Sequence, residues 1–168
     1  MRALVGYASR HGATREIAEE IGRVLREQGL SADVAELGDD VDAAGYDAFV
    51  LVSCVYVGQW LDSARRFVEK HGGDLVAKDV WLFSSGPLGE PPRPLEDQAV
   101  QVDALLDATT AREHRLFPGK LDKSRLGFGE HAVVVAVRAA EGDFRPWDEI
   151  RAWAVVIAAA VRPVPDAA

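Results

Sequence analysis

Short runs of β-branched and aromatic residues alternate with helical patterns along nearly all of the 168 residues, which confines the chain to βαβ units around a mostly parallel sheet. Arg2–Ala8 reads as a first, buried strand. Over Thr14–Gln28, Ile17, Ile21, Val24 and Leu25 recur at helical spacing while Glu16, Glu19, Glu20, Arg23, Arg26 and Glu27 take the other face. An amphipathic helix is therefore expected, stopped by Gly29. Further strands are expected at 32–37, 48–53, 80–84 and 113–117, and further helices at 61–71, 96–109 and 147–161, the last ending before Pro163. The stretch 119–143 fits neither period, because Gly127 and Gly129 precede an apolar run, 131–137, whose pattern does not separate helix from strand. One α/β domain over 1–162 and a frayed Pro/Ala tail at 163–168 complete the expected organisation.

Charge and cysteine usage narrow the function classes. A net charge of −8 argues against a sequence-independent nucleic-acid surface, which needs clustered cations to neutralise phosphates, and suits a protein partner with a basic patch. The single cysteine, Cys54, makes no intramolecular disulfide, so no oxidising compartment is required and the cytoplasm is the expected location. Arg10 and His11 interrupt the N-terminus before a signal-peptide-length apolar stretch, and the longest apolar run, Ala152–Val161, is far short of the roughly 20 residues that span a bilayer. No transmembrane segment is expected; peripheral membrane contact and a homo-oligomer are left open. His11, His71, His114 and His131 lack metal spacing, no G-x-S-x-G occurs, and the sixth residue after Cys54 is Trp60 rather than the Arg of a C-x5-R phosphatase loop. Neither a metal nor a catalytic side chain is expected.

Three loops at strand ends carry the chemistry. Ser9-Arg10-His11-Gly12-Ala13-Thr14 lies directly between the first strand and the first helix, where unpaired N–H groups and the positive end of the helix dipole suit a phosphate. Ser9 and Thr14 supply hydroxyls and Gly12 allows close backbone approach. An N-cap with a turn glycine would look the same, but G-x-x-x-x-G-K-[ST] and G-x-G-x-x-G are absent, so nucleoside triphosphates and dinucleotides drop out. The second loop, Cys54-Val55-Tyr56-Val57-Gly58-Gln59-Trp60, is expected to lie outside regular structure. Tyr56 or Trp60 would flank a planar ring and Gly58 would offer a backbone group near it. Ser84-Ser85-Gly86-Pro87-Leu88 ends the fourth strand and would form the third wall, with hydroxyls and amides facing the ligand's polar edge. With strands in the order 2-1-3-4-5, the first two loops meet at the crevice where strand order reverses.

These residues resemble the flavodoxin-like family that includes the menaquinone-dependent protoporphyrinogen IX dehydrogenases. The resemblance rests on Tyr7–Ala18, Tyr46-Asp47, Val55-Tyr56-Val57-Gly58 and Phe67–His71, and its most specific block, 7–18, looks like the family's FMN-phosphate loop with its helix. It implies a three-layer sandwich with a five-stranded parallel sheet in the order 2-1-3-4-5 and an insertion, 119–143, after the fifth strand. It also implies FMN held by Ser9, Arg10, His11, Gly12, Ala13 and Thr14, by Val55, Tyr56, Val57, Gly58 and Trp60, and by Ser84, Ser85, Gly86, Pro87 and Leu88. The expected activity is an oxidoreductase passing electrons or hydride to a quinone-type acceptor, with a pure electron carrier between protein partners as the alternative. FMN carries over more directly than the porphyrinogen substrate, because 119–143 holds an apolar run with few cations where the membrane-associated dehydrogenases are more basic and amphipathic. The insertion, with Phe128, Phe144 and Trp147, is expected to shape access to the flavin rather than hold its phosphate. A receiver-type signalling module of the same strand order would need acids where Ala8-Ser9-Arg10 and Ser53-Cys54 stand.

Overall fold

The structure, a computed structural model, describes residues 1–56, 58–86, 101–127, 129–130 and 141–161. In chain order the elements are β1 (Arg2–Ala8), α1 (Ala13–Glu27), β2 (Ser31–Glu36), β3 (Ala48–Tyr56), β4 (Gln59–Trp60), α2 (Asp62–Leu75) and β5 (Asp79–Ser85). They are followed by α3 (Asp103–Thr109), β6 (Glu113–Phe117), β7 (Lys120–Leu121), a 3₁₀ turn at Lys123–Arg125, β8 (Gly142–Asp143) and α4 (Trp147–Val161). The main sheet runs β2-β1-β3-β5-β6, all parallel, and β4 is paired antiparallel to β3. Setting aside the two-residue β4, this is the expected flavodoxin-like order 2-1-3-4-5.

Period-two alternation divides the strand side chains between two cores. Ala3, Val5, Val50, Val52, Trp81 and Phe83 face the layer of α1 and α4, where they meet Ile17, Ile21, Trp153 and Ile157. Leu4, Phe49, Leu51, Val80 and Leu82 face the opposite layer with Phe67, Val68, Leu75 and Leu105. Both faces of every central strand are therefore dry, as a parallel sheet requires. At the β6 edge, Phe83 stacks on Phe117 with ring centroids 4.9 Å apart, and Trp153 completes the cluster while donating its indole N–H to Glu113 at 2.8 Å.

Two segments differ from the sequence reading. β3 continues to Tyr56, because Val55 and Tyr56 suit a strand, and the chain returns through a tight turn in which Gly58 takes φ +75°; Val55 then pairs with Trp60 and Tyr56 with Gln59. The expected loop 54–60 is thus largely a β-hairpin. The helix expected at 96–109 is described from Asp103 onward; its earlier part and the run 131–137 lie outside the described residues, as does the tail 163–168.

Two helical glycines test the packing. A Cβ on Gly22 would stand 2.4 Å from Val34 Cγ2 where α1 crosses β2, whereas one on exposed Gly73 would meet nothing within 4 Å. Gly22→Ala should cost about 1–3 kcal/mol through overpacking. Gly73→Ala should gain roughly 0.5–1 kcal/mol from helix propensity. Urea denaturation of both variants checks the pair, and equal effects would contradict this packing.

Candidate functional site

Because β2 and β3 flank β1, the chain leaves the sheet in opposite directions from β1 and β3, which opens a crevice at their carboxyl ends. The loop 9–14 enters this crevice directly from Ala8, the last residue of β1. Gly12 caps α1 with φ +88°, a conformation that favours glycine, and no side chain caps the helix. The Gly12 N–H donates to Ser9 Oγ at 3.0 Å, which curls the loop and leaves the Ser9 hydroxyl proton free to donate. A Cβ on Gly12 would meet nothing nearer than Arg125 Nη1 at 4.0 Å, so the loop's face is open to a ligand. Thr14 is buried in the first helical turn, beside the Cys54 thiol. Burial pushes that thiol up despite the Arg10 amide and charge that favour its ionised form, so Cys54 stays protonated at neutral pH.

The hairpin after β3 supplies the second wall. Tyr56 is exposed at its tip, and the Arg10 guanidinium carbon lies 4.6 Å from its ring centroid. Trp60 is turned the other way: it is buried in the layer beneath α2 and donates its indole N–H to Ser84 Oγ at 2.7 Å. Of the two aromatics singled out in the sequence, Tyr56 stands at the crevice and Trp60 belongs to the core. Gly58 adjoins the site, its carbonyl accepting from the Gln101 N–H at 2.8 Å, while Val57 lies outside the described residues.

The third wall departs from the expectation. Ser84 is buried and its hydroxyl is engaged by Trp60 and by His114 Nε2 at 2.8 Å, while the Gly86 N–H donates to the Phe117 carbonyl at 3.1 Å. Neither group is presented to a ligand, because the ends of β5 and β6 satisfy them internally. Ser85 is also buried, near Gly119, and Pro87 and Leu88 lie outside the described residues.

Three residues that the sequence reading left aside complete the site. Arg125 donates from Nη1 to the His11 carbonyl at 3.2 Å, and Glu130 pairs with Arg10 at 2.6 Å and lies 3.2 Å from His11 Nε2. The insertion therefore reaches the loop 9–14 itself. The Gly127 N–H, and more weakly His11 and Arg10, hold the Glu130 carboxyl below its usual range against the opposing effect of burial. Arg145 is buried, bonds Asp143, Glu16 and the Ala13 carbonyl at 3.1 Å, and lies over the Trp147 ring, so it ties the end of the insertion to the first turn of α1. Trp147 packs against the α1 side of the sheet, Phe144 is exposed, and Phe128 lies outside the described residues. No sequence pattern separates these three charged residues from ordinary surface ones, since their partners in 10–16 lie more than a hundred positions away.

A phosphate dianion fits this arrangement: an uncapped helix N-terminus, a left-handed glycine, the Ser9 hydroxyl and the cations Arg10 and Arg125. Among the described residues no group of acids, His or Cys could hold a metal ion, and no helix is long and apolar enough to cross a membrane.

The Flavodoxin domain family matches residues 4–146. Protoporphyrinogen IX dehydrogenase (quinone) of Escherichia coli is 33% identical over 86 residues, covering 50% of this chain and 48% of its own. The chain thus spans about half the length of the curated relatives it matches. Among solved structures, oxidised Flavodoxin 2 from Bacillus cereus has a TM-score of 0.65 at 19% identity, covering 95% of this chain and 99% of its own. A Streptococcus pneumonia flavodoxin has a TM-score of 0.62 at 21% identity, with the same coverage of both chains.

Arg145→Met should cost about 2 kcal/mol at pH 7, less than a fully buried pair because Glu16 and Asp143 are partly exposed. Arg145 holds Asp143 below its usual value, so this stabilisation is present above about pH 4 and is lost as pH falls through the folded pKa. Denaturation midpoints from pH 7 to pH 3 should converge between wild type and variant; a gap that widens in acid would contradict the assignment.

Proposed function

The chain belongs to the Flavodoxin domain family and is an FMN protein, and from that premise we propose that it is an oxidoreductase passing electrons or hydride from FMN to a quinone-type acceptor. The observation that carries this reading is the open, left-handed Gly12 loop at the carboxyl end of β1, beside the exposed Tyr56 at the end of β3. FMN supplies the redox chemistry when bound. In this reading the protein binds and orients it: Ser9, Thr14 and the amides of 10–14 take the phosphate, and Tyr56 orients the ring. No side chain need move a proton. The quinone acceptor is supported by the name of the Escherichia coli relative and is carried over to this chain as a proposal.

A second reading, a flavodoxin-type carrier serving protein partners, is favoured by the charge of −8, which suits docking against a basic surface. To separate the two, the protein is loaded with FMN, photoreduced without oxygen and mixed with a water-soluble quinone. Saturable reoxidation faster than that of free reduced FMN supports the quinone reading. Reoxidation that needs an added protein partner supports the carrier.

The phosphate site has its own test. Thr14→Ala removes a hydroxyl from the first turn of α1, and losing a hydrogen bond to a charged group costs about 1.5–3 kcal/mol, or roughly one to two decades in Kd. Quenching of FMN fluorescence on titration with apoprotein measures it. An unchanged Kd would remove Thr14 from the site.

A further inference from the structure

We propose that Glu130 is an internal anion that limits how tightly the loop 9–14 holds the FMN phosphate, an inference that rests on FMN binding at that loop. One oxygen, Oε1, lies 2.6 Å from Arg10 Nε and 3.2 Å from His11 Nε2, so it engages both basic side chains that the loop offers. The other, Oε2, accepts from the Gly127 N–H at 2.9 Å, which fixes the carboxylate where it stands. The Glu130 side chain is only 11% exposed while that of Arg10 is 46% exposed, so the anion sits on the protein side of the pair and the cation faces the solvent. Arg125 braces the same loop through the His11 carbonyl, and Arg10 is further held against the Tyr56 ring.

This cluster is already close to electrically satisfied. A phosphate arriving at the loop must draw on Arg10 and His11 while Glu130 remains in place beside them, and it meets a fixed negative charge. The repulsion acts on the phosphate alone, because the isoalloxazine and ribityl groups carry no such charge. Glu130 therefore lowers affinity for the phosphorylated flavin without touching affinity for the ring, and it couples the insertion to the occupancy of the loop. The sequence offers no hint of this, since Glu130 is 119 positions from His11.

The test compares FMN with riboflavin, which has the same ring and no phosphate. Glu130→Gln keeps the shape and an acceptor oxygen but removes the charge; Glu130→Ala removes the charge and the side chain. Circular dichroism confirms that each variant is folded, and flavin fluorescence gives both dissociation constants. FMN should bind about five- to twentyfold more tightly to both variants, while riboflavin affinity stays within twofold. Unchanged or weaker FMN binding in either folded variant would overturn the inference, as would equal tightening of both flavins, which would mean that Glu130 merely restricts access. A wild-type chain that ignores FMN would overturn the FMN reading and this inference together, whereas one that binds FMN with no gain in the variants overturns only the role of Glu130.

Discussion

Everything else in the molecule hangs on the double pairing of β1. It is hydrogen-bonded to β2 on one side and β3 on the other, with Val5 opposite Val34 and Val50, and four of its side chains and backbone groups from Ala3 to Gly6 are buried. A strand held on both edges and covered on both faces has no freedom to shift register, because a one-residue slip would turn Leu4 and Val5 to the wrong cores. That rigidity is what makes its carboxyl end a useful place for a ligand. Ala8 delivers the loop 9–14 at a fixed point, and α1 begins within five residues of it.

The surroundings of the loop are held by a different physics. The walls nearest β3, β5 and β6 are set by dry packing and internally satisfied hydrogen bonds, as in the chain from Trp60 to Ser84 to His114. Among the described residues, the insertion and its C-terminal end are attached by charges, through Arg125, Glu130 and Arg145. Buried apolar contacts are insensitive to charge and give a rigid frame, whereas partly exposed ion pairs are individually weak and respond to a change in local charge. The result is a stiff frame with an electrostatically attached flank.

Much of the fold is legible in the sequence. The positions of five strands and most helices followed from alternation and helical periodicity, because burial on one or two faces leaves a local imprint on hydrophobic spacing. The loop 9–14 was legible for the same reason: Ser9, Gly12 and Thr14 sit between a strand and a helix, and their residue types report local backbone geometry. The segment 54–60 reads as loop, since two aromatics and a glycine in seven residues carry no period. Its pairing depends on where Trp60 finds a partner for its indole, and that partner, Ser84, is 24 residues away. Ser84 and Gly86 read as ligand-facing in the sequence for a related reason, as polar groups at a strand end look alike whether they face a crevice or a neighbouring strand.

By itself the sequence determined the positions of the strands and helices that make up the layers, and a glycine-bearing loop between the first strand and the first helix. All of these are encoded within windows of a dozen residues, where backbone propensity and burial period act. Only the tertiary structure decided which aromatic faces the crevice, which hydroxyls are consumed internally, and that Glu130 and Arg145 reach the loop from positions more than a hundred residues away. Those outcomes depend on distances between elements remote in the chain, and electrostatic and hydrogen-bond partners are chosen by proximity in space, on which local sequence spacing carries no information.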